Sequence, residues 1–125
     1  MIQSESDPRF RIGPSLIPGA GLGVFATTAL ALGDRLRVSG VLVAAGSVAD
    51  ECTRYADAYK FRVGDHLLIP TGYGGMVNHS ARAPNMEKVV EGIEVCLRAL
   101  RPVAVGEELL WTYSDFARER YQLPN

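Results

Sequence analysis

Two short stretches of this chain carry residue types that packing alone does not demand. Asn78-His79-Ser80 sets three polar side chains directly after Gly74-Gly75-Met76-Val77, and a buried Asn amide must be hydrogen-bonded, so it specifies a definite partner. Gly106-Glu107-Glu108-Leu109-Leu110-Trp111-Thr112-Tyr113 ends in a phenol. A tyrosine on a strand that follows a polar turn can enter a cleft, where it orients a nucleophile or accepts weak hydrogen bonds. His79 beside Ser80 also suggests nucleophilic catalysis. No glycine-flanked nucleophile elbow and no second triad pairing accompany them, so the hydrolase reading is set aside.

The elements that must position these residues are short and dense in turns. Thirteen glycines and seven prolines divide the chain into candidate strands at Leu22 to Thr27, Arg35 to Ala44, His66 to Ile69, Met86 to Val90, Ile93 to Leu100 and Glu108 to Tyr113. The clearest is the stretch in which Ile93, Val95, Leu97 and Ala99 alternate with Glu94, Cys96, Arg98 and Leu100, the period of a half-buried strand. Glu91-Gly92 is expected to turn the chain into it. Helix is expected only at Val48 to Tyr59, capped by Ser47 or Asp50, and at Ser114 to Tyr121, capped by Ser114 or Asp115. The fold class is therefore mainly β.

Composition narrows the function classes. A chain of 125 residues reads as one domain with one core. Thirteen basic and fourteen acidic residues leave a formal charge of −1, which makes no electrostatic case for direct nucleic-acid binding. No apolar run is long enough to span a bilayer and the N-terminus lacks a signal pattern, so a soluble, cytoplasmic protein is expected. Cys52 and Cys96 stand far apart without ligand-spaced neighbours, so no metal site is expected, and both read as small buried residues.

Gly19-Ala20-Gly21-Leu22-Gly23-Val24-Phe25-Ala26 invites a dinucleotide reading. That fingerprint needs a strand before the glycines and a helix after them, whereas here Pro14 and Pro18 precede and strand formers follow. What remains is a glycine turn entering a strand, open to close approach by a ligand.

In combination the motifs resemble the SET-domain protein lysine methyltransferases, in particular short stand-alone members without a zinc-binding cap. Gly21-Leu22-Gly23-Val24-Phe25-Ala26 is similar to the family's opening motif, Asn78-His79-Ser80 with Pro84-Asn85 to its central one, and Arg101-Pro102-Val103-Ala104-Val105-Gly106-Glu107-Glu108-Leu109 with Tyr113 to its closing segment. The order of the three carries as much weight as any one.

The resemblance implies a single domain over residues 1–125, its core about 9–116 and a tail or cap at 117–125. Its fold would be a β-clip-like set of small sheets with a C-terminal pseudoknot, in which the closing segment threads beneath a preceding loop. The implied reaction moves a methyl group from S-adenosylmethionine to the ε-amine of a lysine in a protein or peptide, a histone or histone-like protein among the candidates. Gly21, Leu22, Gly23, Asn78 and His79 would bind the cofactor, His79 through its backbone. Tyr113 would be the essential phenol and Tyr59 its partner, with Tyr55 able to take that place one turn away. Trp111, Tyr55 and Phe116 would border the substrate channel, and Phe116 or Tyr121 would close over the adenine or the peptide.

Departures from the family pattern are three residues, Ala81-Arg82-Ala83, between Ser80 and Pro84 where two are usual, Thr112 in place of Asp, and Trp111 in place of Phe or Tyr. The bulk of Trp111 is expected to favour lower methylation states. Homodimer formation is expected for so small a chain, and a nuclear or chromatin location for a eukaryotic or viral source. A SET-like peptide-binding module without turnover is the alternative, while a plain β scaffold for assembly leaves the three motifs unexplained.

Overall fold

The computed structural model describes residues 7–57 and 59–113. Among these residues ten strands form three small sheets. β1 (Phe10–Pro14) and β2 (Leu22–Ala26) pair antiparallel, with Phe10 opposite Ala26 and Pro14 opposite Leu22, and the glycine loop joins them. β1 was not expected, because its Gly and Pro mask the pattern of an edge strand.

The expected strand Arg35 to Ala44 divides at Ser39 into β3 (Arg35–Val38) and β4 (Gly40–Ala44), which enter different sheets. Gly40 permits the crossing, since a Cβ there would lie 2.1 Å from the Ile69 carbonyl oxygen. β4 pairs with β6 (His66–Pro70), which pairs in turn with β5 (Phe61–Val63). In the largest sheet β3 pairs with β9 (Glu94–Ala99), and β9 with β8 (Met86–Glu91) across the turn at Gly92, whose φ is +62°. The expected alternation is realised from Glu94 onward, with Val95, Leu97 and Ala99 buried and Ile93 left exposed in the turn.

The helix expected over Val48 to Tyr59 is shorter than the sequence suggests. α1 covers only Val48–Glu51, with Ser47 Oγ capping the Asp50 N–H, and a single 3₁₀ turn follows at Arg54–Ala56. No α1 residue is buried, so no packed apolar face extends the helix. Thr53 Oγ1 also takes the Ala49 and Asp50 carbonyls, which competes with helical propagation. Cys52 is exposed on this segment and Cys96 is half-buried, a correction to the reading of both as buried. The helix expected at Ser114 to Tyr121, with Asp115 and Phe116, falls outside the described residues.

The closing segment is the topological feature that matters for the site. β10 (Leu110–Trp111) lies parallel to β7 (Asn78–His79) on one side and to β8 on the other. β7 and β8 are successive strands, so the connection at 80–85 has to bridge the strand inserted between them; this is the pseudoknot arrangement. The expected strand Glu108 to Tyr113 contracts to two residues because its start is bound elsewhere. Glu108 bridges Phe25, and Leu109 N–H donates to the Val24 carbonyl.

Asn85 locks the insertion. It is 1% exposed, donates from Nδ2 to the Glu108 carbonyl at 2.8 Å and to Glu107 Oε2 at 3.1 Å, and accepts the Leu110 N–H at 2.8 Å. The loop with the extra residue therefore leaves Asn85 seated, and Ser80 Oγ closes that loop by accepting the Ala83 N–H. Around the insertion sit Val24, Leu36, Met86, Leu97 and Leu109, all at most 1% exposed, each contributing about 1.5–3 kcal/mol through burial. Replacing Asn85 with Ala strands the Leu110 amide and the Glu108 carbonyl; we expect a loss of about 3 kcal/mol, read from the midpoint of urea unfolding.

Candidate functional site

Tyr113 leaves β10 held at both ends. Its N–H donates to His79 Nδ1 at 3.0 Å, and its hydroxyl donates to the Val77 carbonyl at 3.0 Å. An accepting Nδ1 places the proton of a neutral imidazole on Nε2, so His79 orients the tyrosine. The phenol proton is directed to Val77, which leaves the phenol oxygen an acceptor.

Burial pushes the Tyr113 pKa up to about 12, and the charge that Tyr59 would carry adds to the rise. The side chain is therefore neutral throughout the ordinary pH range. In the unfolded chain the phenol ionises near the usual value of about 10, so this residue's contribution to stability falls as pH rises from there toward its folded value.

The rings around Tyr113 form a wall. Its centroid lies 5.0 Å from that of Trp111 and 5.1 Å from that of His79. Trp111 stacks in turn on Phe61, at 5.0 Å and 15° between planes. The indole is therefore braced from behind by β5, a contact that its place in the sequence does not reveal.

The glycine loop meets the central motif through a carboxylate. Glu108 is 4% exposed; its Oε2 accepts from Ser15 Oγ at 2.7 Å and from Asn78 Nδ2 at 3.1 Å, and its Oε1 accepts the Leu16 N–H at 2.9 Å. Asn78 Nδ2 also donates to the Leu22 carbonyl at 3.0 Å. With both amide hydrogens committed, Asn78 Oδ1 is the side-chain atom left to meet a ligand. Gly23 lies against this knot, since a Cβ there would fall 2.3 Å from Glu108 Oε2.

A cleft of about 930 Å³ opens over these elements, lined by Leu22, Asn78, Tyr113, Tyr59, Tyr55 and Tyr73 among others. The structure thus gathers five of the expected site residues on one cavity. Tyr59 is 53% exposed and Tyr55 83%, so Tyr55 stands further out toward the rim than Tyr59. Tyr73 lines the cleft and also packs edge-on against Phe10 at 6.0 Å. Trp111 and His79 support Tyr113 rather than line the cavity, and Gly21 and Gly23 flank Leu22, with Gly21 at φ +76°. Phe116 lies outside the described residues.

Sequence reasoning assigned no role to Glu108, Ser15 or Phe61. Glu108 stands beside Glu107 within the closing motif, at the entry to an apolar stretch, and nothing there tells which of the two is buried. Among the described residues there is no group of His, Cys, Asp and Glu that could hold a metal ion, and no helix long and apolar enough to cross a membrane.

Comparison with known proteins places this geometry in context. Residues 21–114 match the SET domain family, whereas no curated protein matches the chain. Among solved structures, a Plasmodium falciparum protein named as a candidate histone methyltransferase is similar with a TM-score of 0.69 and 23% identity, over 91% of this chain and 96% of that one. CpSET8 from Cryptosporidium is similar with a TM-score of 0.69 and 25% identity, over 85% of this chain and 57% of that one. A polycomb repressive complex 2 of Chaetomium thermophilum, solved bound to S-adenosylmethionine, aligns at 19% identity and a TM-score of 0.70 over 90% of this chain, which spans only 16% of that larger one.

Proposed function

The chain belongs to the SET-domain family, and on that premise we propose that it transfers a methyl group from S-adenosylmethionine to the ε-amine of a lysine in a protein substrate. The observation that carries this reading is the seating of Tyr113, its hydroxyl fixed on the Val77 carbonyl and its ring at a cleft that also includes Asn78.

The residues fit the cofactor. The cleft is within the range of about 300–1,000 Å³ usual for small-molecule sites. Asn78 Oδ1 offers an acceptor for an amino group, and a Cβ at Gly21 would meet nothing within 4 Å, so the backbone there is open to close approach. When bound, S-adenosylmethionine supplies an electrophilic methyl group on a positively charged sulfonium.

The chain's own residues supply alignment and medium. A lysine with a solution pKa of about 10.4 arrives as an ammonium and must lose its proton before attack. Tyr113 is a poor base for that step, because its proton is committed and its pKa is pushed up to about 12. Water carries the proton away, and the phenol oxygen accepts weak hydrogen bonds that aim the reacting groups. Tyr59 and Tyr113, the latter backed by Trp111, desolvate the amine and exclude competing nucleophiles.

Calorimetric titration with S-adenosylmethionine, followed by transfer of labelled methyl into a cell lysate, tests the reading. Binding and transfer support it. Absence of binding at high cofactor concentration overturns it, and binding without transfer across a broad substrate panel favours a peptide-binding module.

Trp111 sets a further expectation. Braced on Phe61, the indole stands behind Tyr113, so the phenol ring cannot recede easily to make room for a methylated amine. Monomethyl-lysine and dimethyl-lysine are the expected products by mass spectrometry, with Trp111→Phe moving the distribution toward higher states. Mainly trimethylated product from the unaltered protein contradicts this.

A further inference from the structure

The segment that brings Tyr55 and Tyr59 to the cleft has little apolar anchorage. α1 buries no residue and the following 3₁₀ turn buries only Ala56, while Val48 is 79% exposed. An isolated turn of this length has no stability of its own. Something other than core packing has to hold the tyrosines against the cavity.

Lys60 is placed to do so. Its side chain is 2% exposed, and Nζ donates to Asp50 Oδ1 at 2.7 Å, to Asp57 Oδ1 at 2.7 Å and to the Asp50 carbonyl at 3.1 Å. The three bonds use all the donors of an ammonium. They tie α1 and the turn end to the first residue before β5, with Tyr55 and Tyr59 enclosed between the tied points. Asp50 fastens the other end, accepting the Gly46 N–H at 2.9 Å. Burial works against the charge on Lys60, but the bonds to Asp50 and Asp57 outweigh it and hold the ammonium above its ordinary pKa; Lys60 in turn holds the Asp50 carboxyl below its own.

We propose that Lys60, with Asp50 and Asp57, is a latch that positions the tyrosine-bearing wall of the cleft and so sets affinity for the protein substrate. Lys60 is here a positioning residue acting through Tyr59 and Tyr55. The inference rests on the methyltransferase reading for its kinetic consequence, but not for its structural one.

The test therefore has two arms on the full chain. In hydrogen exchange, Lys60→Met should speed the amides of residues 50–60 by about tenfold or more, equivalent to about 1.4 kcal/mol of lost protection, while β8 and β9 keep theirs. In kinetics, KM for the protein substrate should rise about fivefold or more with kcat and cofactor affinity changed less than about twofold, the pattern of lost ground-state positioning. Lys60→Arg, which retains charge and donors, should recover part of both effects. Asp57→Asn, which weakens one bond and leaves the buried cation paired with Asp50, serves as the milder variant should Lys60→Met not fold. Unchanged exchange in 50–60 overturns the latch, and so does a uniform rise across all sheets. Absence of methyl transfer by the unaltered protein overturns the enzyme reading instead, and the exchange arm still decides the latch.

Discussion

Tyr113→Phe is expected to lower the proposed methyl transfer by about a hundredfold or more, the scale on which loss of alignment at a reacting centre acts, and to leave S-adenosylmethionine affinity within about twofold. The separation follows from where the hydroxyl sits. It bonds the Val77 carbonyl and lies among the aromatic rings, while the groups proposed to meet the cofactor are Asn78 and the glycine-loop backbone. The ring remains in the variant, so packing against Trp111 and His79 persists. Val77, 1% exposed, loses the donor to its carbonyl, which costs about 1–3 kcal/mol of stability if no water replaces it.

Two pH measurements sharpen this expectation. The transfer rate of the unaltered protein should rise with pH as the substrate lysine deprotonates, with no Tyr113 ionisation before the strongly alkaline range. The alkaline decline in stability should be shallower in Tyr113→Phe, because the phenol that ionises earlier in the unfolded chain has been removed. Unchanged transfer in the variant contradicts the assignment of Tyr113 as the essential phenol.

Gly23→Ala is expected to weaken S-adenosylmethionine binding by about tenfold or more and to cost about 1–3 kcal/mol of stability, the range for overpacking in a tight site. The added methyl would sit 2.3 Å from Glu108 Oε2 and 3.1 Å from Asn78 Nδ2. Glu108 cannot step aside cheaply, since Ser15 Oγ, the Leu16 amide and Asn78 all bond to it. If the carboxylate moves, Asn78 loses one of the two acceptors that orient its amide. Gly21→Ala is the control: a Cβ there meets nothing within 4 Å, but φ is +76°, so the cost is backbone strain of about 1–2 kcal/mol without displacement of the knot. Calorimetry and thermal melts of the two variants separate the effects. Wild-type cofactor affinity in Gly23→Ala contradicts the role given to the Glu108 knot.

What the sequence disclosed depended on how local the deciding physics was. Val95, Leu97 and Ala99 announce β9 because burial alternates within a single strand. Ser47 announces the start of α1 because its cap reaches only three residues ahead. The end of α1 was illegible, since it is the lack of anything to pack against that stops the helix. The break at Ser39 depends on the Ile69 carbonyl passing close to Gly40, a tertiary contact without local trace. β10 has two residues and no period; its insertion between β7 and β8 was expected only through family resemblance.

The site divides in the same way. Tyr113 and Asn78 are polar exceptions within apolar surroundings, and both stand on the cleft. Glu108 belongs to the same closing motif, but its meaning comes from Ser15 and Leu16 more than ninety residues earlier and from the bare face of Gly23. Trp111 showed its bulk in the sequence, whereas its brace on Phe61 required two sheets to face each other.

The most direct test is transfer of labelled methyl from S-adenosylmethionine to histone-like and ribosomal proteins by the unaltered chain and Tyr113→Phe in parallel, with mass spectrometry locating the label. Label on a lysine side-chain nitrogen, largely lost in the variant although the cofactor still binds, is the expected result. No lysine methylation from any substrate by a chain that is folded and saturated with cofactor, or equal labelling by both proteins, contradicts it.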